Sequence, residues 1–207
     1  MRTIVAFGDS ITQAFDQPDC CKWTGVLQRL LDDRVPGAYA VVNRGIGGQT
    51  AAQGLERILT DVTPQLPGLV LVEFGFNDAV IPQGMLIPRL TVDEFMVKMR
   101  EIHRIVTAHG GQTVLIINHT QHDVLRQGNG EPYEETYARY ETALRTLAVE
   151  LAVPAIDLPA AMAARGVDLA AFLTADGIHL TREGNRIYGE MVLAGLQAIL
   201  LETVASA

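Results

Sequence analysis

A serine near the start of the chain and an acid and imidazole pair near its end are the residue types of a nucleophilic site. Ser10 follows a glycine and an aspartate that end the apolar run at residues 4–7. Asp176 and His179 stand three positions apart. A serine hydroxyl is a poor nucleophile until an imidazole takes its proton, and a carboxylate orients that imidazole. These three side chains are together the parts of a nucleophilic acyl-transfer site.

Two other segments offer hydrogen-bond donors to such a site. Residues 43–50 form a glycine-rich turn, and glycine lets the backbone approach a reacting group closely. Asn77 follows a later apolar run, and its amide donates to negative charge without titrating. The glycine turn would also suit a phosphate, but no Lys-Ser or Lys-Thr pair follows it, which excludes a P-loop.

Alternating strand-like and helix-like segments predict how these residues are positioned. Helical spacing of apolar residues predicts amphipathic helices, one of which begins with a capping box from Thr91 to Glu94. The last strand is expected at a sheet edge because it contains Pro154. Short apolar runs predict five strands, at residues 4–7, 39–43, 69–74, 114–117 and 153–157.

Apolar strands that alternate with amphipathic helices predict a parallel sheet covered on both faces. We therefore predict a single α/β domain over residues 1–207, a three-layer α/β/α sandwich around a five-stranded parallel sheet. Such sheets bind ligands at the carboxyl ends of their strands. Ser10, the glycine turn and Asn77 all fall at those ends.

Four segments of the chain resemble the signature of the SGNH (GDSL) hydrolase family. All four occur in the family's order and together span residues 8–179. The resemblance implies a flavodoxin-like SGNH hydrolase fold and catalysis without metal or cofactor. The segments are Gly8-Asp9-Ser10, the glycine turn at 43–50, Gly75-Phe76-Asn77-Asp78 and Asp176-Gly177-Ile178-His179.

The resemblance also implies a role for each matching residue. Ser10 would be the nucleophile, and its backbone N–H would be one donor of an oxyanion hole. Gly48 would supply a second backbone donor, with Gly47 as the neighbouring alternative, and Asn77 would supply a third donor from its side chain. His179 would be the general base and Asp176 the acid that orients it.

Within this family the chain resembles the isoamyl acetate-hydrolysing esterase branch, which implies a serine esterase for short acyl esters of small alcohols. Residues 118–122 are more polar than that branch suggests, which leaves carbohydrate O-acetyl esters open as substrates. A thioesterase would use the same acyl-enzyme.

Two other classes of protein remain open. They are a catalytically inactive binding module, which the intact site residues disfavour, and a nucleotide or flavin protein. No Gly-x-Gly-x-x-Gly follows the first strand to support the latter.

Substrate-contacting residues are expected in two loops. The loop at 76–90 is long and apolar, so Ile81 and Met85 are candidates for the wall of an ester pocket, although a dimer contact would explain them equally. His119 and His122 could indicate a metal site, but we expect His119 to line the cleft and no metal to bind.

Three carboxylates near the strand ends are also of interest. Glu73 lies inside an apolar strand and should need a partner, for which Arg44 and Arg2 are the candidates. Asp9 and Asp78 are expected to be structural and to fix their loops by hydrogen bonds to backbone.

Composition limits the partners. The formal charge of −8 and a pI near 5.0 argue against nucleic acid and against anionic membranes. We expect no membrane span and no signal segment. Cys20 and Cys21 are adjacent, where a disulfide ring would be strained, so a reducing cytoplasm is the simpler location. The expected partner is a small-molecule ester, and homo-oligomer formation is left open.

Overall fold

The computed structural model describes residues 1–122, 124 and 126–205 and contains a five-stranded parallel sheet in the order β2-β1-β3-β4-β5. The predicted α/β fold and the edge position of β5 are confirmed. β1 and β3, which precede the serine and asparagine segments, are neighbours at the centre of the sheet. The strands are β1 (Arg2–Gly8), β2 (Tyr39–Gly45), β3 (Gly68–Glu73), β4 (Gln112–Ile117) and β5 (Ala155–Asp157).

Helices cover the sheet in two groups. Helices α2, α6 and α7 pack with α8, whereas α3 packs on α4 and α4 on α5, as expected for the layers of an α/β/α sandwich. None of the described helices is long and apolar enough to cross a membrane. The helices are α1 (Ser10–Gln13), α2 (Trp23–Asp32), α3 (Ala51–Asp61), α4 (Val92–Ala108), α5 (Tyr133–Glu150), α6 (Leu158–Arg165), α7 (Leu169–Phe172) and α8 (Arg182–Ala205), with 3₁₀ turns at Asp19–Cys21 and Thr63–Gln65.

Two capping boxes determine where helices begin. The one predicted at Thr91 is confirmed: its N–H donates to Glu94 Oε2 over 2.8 Å, and its hydroxyl accepts the N–H of Glu94. A second box, from Thr50 to Gln53, starts α3 directly after the glycine turn. It therefore fixes the point at which that turn ends beside the serine.

Candidate active site

The serine, histidine and aspartate meet at the carboxyl edge of the sheet. His179 Nε2 lies 2.9 Å from Ser10 Oγ, and His179 Nδ1 lies 2.6 Å from Asp176 Oδ2. The other carboxylate oxygen, Oδ1, accepts the backbone N–H groups of Ile178 and His179, each at 2.9 Å, and the hydroxyl of Thr174 at 2.8 Å. The three residues form one continuous chain of hydrogen bonds, as the sequence predicts.

The bonds to Asp176 keep it ionised. Partial burial favours the neutral acid, but the hydrogen bonds from His179, Ile178 and Thr174 outweigh it and hold the pKa of Asp176 well below its usual range. An acceptor at Nδ1 favours the histidine tautomer with its proton on that nitrogen. Nε2 is then the acceptor that faces the Ser10 hydroxyl, which is the arrangement that general base catalysis requires.

A tight turn between β1 and α1 presents the serine. Asp9 caps α1, since its Oδ1 accepts the N–H of Ile11 over 3.0 Å. Gly8 has no room for a side chain: a Cβ there would collide with the carboxyl of Glu73 and lie 2.6 Å from the Thr12 hydroxyl. A glycine at this position therefore lets the turn lie directly against β3.

Hydrogen bonding distinguishes the two candidate glycines. The Gly47 N–H donates to Gln13 Oε1 over 2.9 Å and is occupied. Among the described residues the Gly48 N–H has no acceptor, and neither has the Ser10 N–H. Gly48 also has φ of +76°, a conformation that favours glycine. The geometry leaves the N–H groups of Gly48 and Ser10 available to a ligand, and Gly48 stays the predicted donor of the two glycines.

Asn77 is oriented by the aspartate beside the serine. Its Nδ2 donates one proton to Asp9 Oδ2 over 2.9 Å, which leaves the second amide proton for a ligand. Asp9 is fully buried, and this burial raises its pKa to about 6. Its predicted structural role is confirmed, because it holds both α1 and the Asn77 amide.

Asp78 is structural as well. Its Oδ1 accepts the N–H of Ala51 at 2.9 Å and its Oδ2 accepts the N–H of Gly75 at 3.1 Å. Burial raises its pKa to about 7. The side chain joins the start of α3 to the loop after β3, as the sequence predicts.

The arginine partner predicted for Glu73 is wrong. Arg44 Nε donates instead to the Asp61 carbonyl over 3.2 Å, and Arg2 donates to Gln112 over 2.6 Å. Both are held away from Glu73 by these bonds.

Polar groups at neighbouring strand ends satisfy Glu73 instead. Its Oε2 accepts the Thr12 hydroxyl at 2.8 Å and the Asp9 N–H at 3.2 Å, and its Oε1 accepts the Asn118 amide. Burial, and then the charge of Asp9, raise the pKa of Glu73 well above its usual range. A neutral acid can be kept in the core by such bonds without a cation.

His119 does not line the cleft, which corrects the sequence prediction. Its side chain is fully buried, with the ring edge-to-face against Phe76 and Phe172. Its Nε2 lies 2.7 Å from the Ile178 carbonyl. Asp176 Oδ1 accepts the N–H of His179. The peptide bond between Ile178 and His179 is therefore held at both its carbonyl oxygen and its N–H.

His119 should make the protein less stable in mild acid. Burial lowers its pKa to about 4, whereas an unfolded histidine titrates near 6.5. Between these values the unfolded chain binds a proton that the folded chain excludes, so His119 lowers the free energy of unfolding as pH falls. His119→Gln keeps an N–H donor but does not titrate. The amount by which its free energy of unfolding falls short of that of wild type should therefore shrink by roughly 1.4 kcal/mol for each unit by which the pH is lowered. Urea unfolding at pH 4.5, 5.5 and 6.5 measures this, and a deficit that is constant with pH would contradict it.

The apolar loop after Asn77 has a buried base and an exposed tip. Ile81 is only 4% exposed, and its backbone bonds to Gln127 and Gly128, so its side chain does not form a pocket wall and that expectation is wrong. Met85 is 50% exposed, and Leu86 is more exposed still. Met85 therefore remains the candidate for contact with substrate.

One residue near the donors has no signal in the sequence. Arg89 Nη1 donates to the Gly48 carbonyl over 3.0 Å and lies 3.5 Å from Asn77 Oδ1. A single arginine at the end of an apolar loop carries no motif, so sequence reasoning missed it.

Within the described part of the chain, no group of three histidine, cysteine or acidic side chains could hold a metal.

Comparison with known proteins is consistent with this geometry. The model of a family described as GDSL-like lipase/acylhydrolase matches residues 6–187. The chain is 32% identical over 146 residues to the uncharacterized lipoprotein YqeF of Bacillus subtilis, a match that covers 68% of this chain and 56% of that protein. It is 37% identical over 79 residues to the esterase TesA of Pseudomonas aeruginosa, covering 38% and 39%.

The fold has solved counterparts. A lipase/acylhydrolase from Enterococcus faecalis superposes with a TM-score of 0.77 at 26% identity, and the match covers 96% of both chains. In the two sequence relatives, by contrast, the matched region is about half of one protein and two fifths of the other.

Proposed function

Because this chain belongs to the GDSL-like lipase/acylhydrolase family, we propose that it is a serine esterase that hydrolyses short-chain acyl esters through an acyl-serine intermediate. The observation that carries the proposal is the 2.9 Å contact between His179 Nε2 and Ser10 Oγ, with Asp176 2.6 Å from the other ring nitrogen. This is the geometry of an activated serine nucleophile.

Acylation begins with Ser10 Oγ attacking the ester carbonyl carbon while His179 Nε2 accepts the hydroxyl proton. The carbonyl oxygen becomes an oxyanion, which the N–H groups of Ser10 and Gly48 and the free amide proton of Asn77 stabilise. His179 then returns its proton to the alkoxide oxygen, the C–O bond breaks, and the alcohol leaves. Asp176 stabilises the imidazolium that exists between these two proton transfers.

Deacylation repeats the same steps with water. His179 Nε2 accepts a proton from water as its oxygen attacks the acyl carbon, and the same three donors hold the second oxyanion. The bond to Ser10 Oγ then breaks, His179 returns the proton to the serine, and the carboxylic acid leaves. No further reactant is needed.

The short-chain preference rests on resemblance to the isoamyl acetate-hydrolysing branch. The polar segment at 118–122, which leaves acetylated sugars open as substrates, is partly buried: Asn118, His119 and Gln121 lie inside the protein, whereas Thr120 and His122 are exposed. Asn118 donates to Glu73, His119 is bonded to Ile178, and Gln121 is 6% exposed. The three buried groups satisfy internal bonds, so the case for a carbohydrate substrate rests on Thr120 and His122 alone.

A panel of acyl donors tests the proposal. We expect p-nitrophenyl acetate and butyrate to be hydrolysed faster than octanoate, with acetyl-CoA and acetylated xylose assayed in parallel for the thioesterase and carbohydrate alternatives. Diethyl p-nitrophenyl phosphate should inactivate the enzyme with one adduct, located on Ser10 by mass spectrometry. Failure to hydrolyse any donor, together with no adduct, would favour the inactive binding module.

Met85→Asp tests whether the apolar loop contacts the acyl or alcohol group. A carboxylate at a site that binds an alkyl chain adds a desolvation cost, and losing one such apolar contact is worth roughly 10- to 200-fold in specificity. We therefore expect kcat/KM for butyrate to fall at least tenfold, and acetate less. Val149→Asp, at an 83% exposed site on α5, is the matched control. Unchanged turnover and chain-length preference in Met85→Asp would exclude the pocket role and leave the dimer contact.

Several expectations accompany this proposal and stay predictions. They are a single domain over residues 1–207, a cytoplasmic location, no cofactor and no nucleic-acid partner. Gel filtration of the active enzyme decides whether it forms a homo-oligomer.

A further inference from the structure

Arg89 contacts Gly48 and Asn77, two of the residues that donate to the substrate carbonyl in the proposed mechanism. Its Nη1 donates to the Gly48 carbonyl over 3.0 Å and lies 3.5 Å from Asn77 Oδ1. Its Nη2 donates to Gln53 Oε1 over 3.3 Å, at the capping box that ends the glycine turn. One guanidinium thus bridges the loop after β2 and the loop after β3.

We propose that Arg89 is a positioning residue that holds Gly48 and Asn77 in register as oxyanion donors. The inference rests on the proposed esterase function, since it assigns a role within that reaction. Arg89 does not itself contact the ester: it positions the two donors, and its charge lies beside them.

Two neighbouring side chains fix the orientation of the Asn77 amide. Asp9 Oδ2 accepts from Nδ2 over 2.9 Å, and Arg89 donates towards Oδ1 from the opposite side. A flipped amide would place its oxygen against the Asp9 carboxylate and its N–H₂ against the guanidinium, and both contacts are repulsive. The pair therefore selects the orientation in which the remaining N–H faces the substrate.

The positive charge of Arg89 also bears on the proposed reaction. The three acceptors of Arg89 are a carbonyl and two side-chain amide oxygens, so no carboxylate in the described part of the chain neutralises it by direct contact. Arg57 and Arg100, by comparison, are paired with Asp61 and Glu150. An unneutralised cation beside the oxyanion donors favours negative charge on the substrate oxygen in the transition state.

Hydrogen bonds also fix the backbone that carries Arg89. Its own N–H donates to the Val80 carbonyl over 2.9 Å, and the next residue, Leu90, donates to the Asp78 carbonyl over 3.2 Å. These bonds tie the end of the apolar loop to the segment that contains Asn77. The backbone from which the exposed Arg89 side chain reaches the donors is consequently fixed relative to Asn77.

Kinetics of Arg89 variants test the role. Removal of one oxyanion donor costs about 100- to 1000-fold in kcat, and loss of a positioning group should cost less, about tenfold for Arg89→Met. We expect the KM of Arg89→Met for p-nitrophenyl acetate to stay within about twofold of wild type. Arg89→Lys keeps one charged donor and should recover part of the lost kcat. The matched control is Arg126→Met, because Arg126 is exposed and bonded to the Gly130 carbonyl. Thermal unfolding confirms that each variant is folded, and Arg89→Gln replaces Arg89→Met if that variant is not.

A double-mutant cycle shows whether Arg89 acts through the donors. In an Asn77→Ala background, Arg89→Met should cost about threefold or less, because residues that share one contact are not additive. A full tenfold cost in both backgrounds, a higher KM with unchanged kcat, or no effect in wild type would each overturn the inference. A wild-type enzyme that neither hydrolyses the ester nor reacts with the phosphate inhibitor would instead refute the proposed function itself.

Discussion

Ser10→Ala should reduce kcat for p-nitrophenyl acetate by roughly 10⁶-fold, the cost of removing the nucleophile from a serine hydrolase. The expected loss is this large because the variant retains the donors but has no atom that can form the acyl-enzyme. His179 Nε2, which lies 2.9 Å from Ser10 Oγ, would then face only water. Residual hydrolysis should come from the oxyanion donors alone, and the burst of p-nitrophenol that marks acylation should disappear.

The same substitution is a clean test because Ser10 makes no other side-chain hydrogen bond in the described structure than the one to His179. Its loss should leave the melting temperature within a few degrees of wild type. Thr142→Ala is the matched control, since it deletes an exposed hydroxyl that bonds to the Ala138 carbonyl on α5. Turnover of Ser10→Ala at the wild-type rate, or labelling of another residue by the phosphate inhibitor, would remove Ser10 from its role.

The second large effect is expected for Asp176→Asn, with a loss of roughly 10³- to 10⁴-fold in kcat. An asparagine amide facing His179 Nδ1 would donate rather than accept, so the ring would carry its proton on Nε2 and could not accept from Ser10. Half of the Asp176 side chain surface is exposed (51%), so water replaces part of the lost acceptor and we expect the lower end of this range.

Asp33→Asn serves as the control for charge removal, since Asp33 is an exposed carboxylate at the end of α2. Pre-steady-state measurement of the p-nitrophenol burst separates acylation from deacylation, and both should slow, because His179 accepts a proton in each. An Asp176→Asn variant within tenfold of wild type would show that the carboxylate does not control the tautomer of His179.

The fold was predictable from local patterns because those patterns report burial directly. The strand at residues 69–74 is apolar except for Glu73, and all six residues of β3 are buried. The capping box at Thr91 was equally visible, since its two partners are three residues apart. Helices α6 and α7 were missed because eight and four residues are too few for a clear helical period.

The residues of the candidate site also differ in how far the sequence alone predicts their contacts. Ser10, Asp176 and His179 could be assigned because their types and order are specific. The partners of Glu73 could not, because Thr12 and Asn118 lie 61 and 45 positions away and only the pairing of strands brings them together. His119 was assigned to the cleft because a histidine in a polar loop gives no indication of which way its ring points. The contacts of Arg89 are not predictable from sequence either, because Gly48 and Gln53 lie in a different part of the chain.

The order of the site residues along the chain determines when the proposed catalytic groups can meet during synthesis. Ser10 and His179 are 169 positions apart, which at roughly 5 to 20 residues per second corresponds to about 10 to 30 s of translation. All five strands are made before residues 176–179 leave the ribosome. Until then Ser10 has no imidazole beside it, so under the proposed mechanism a nascent chain on the ribosome could not yet form an acyl-enzyme. The segment that carries His179 leads into α8, which packs on α2, where Asn185 Oδ1 accepts the Trp23 N–H over 3.0 Å.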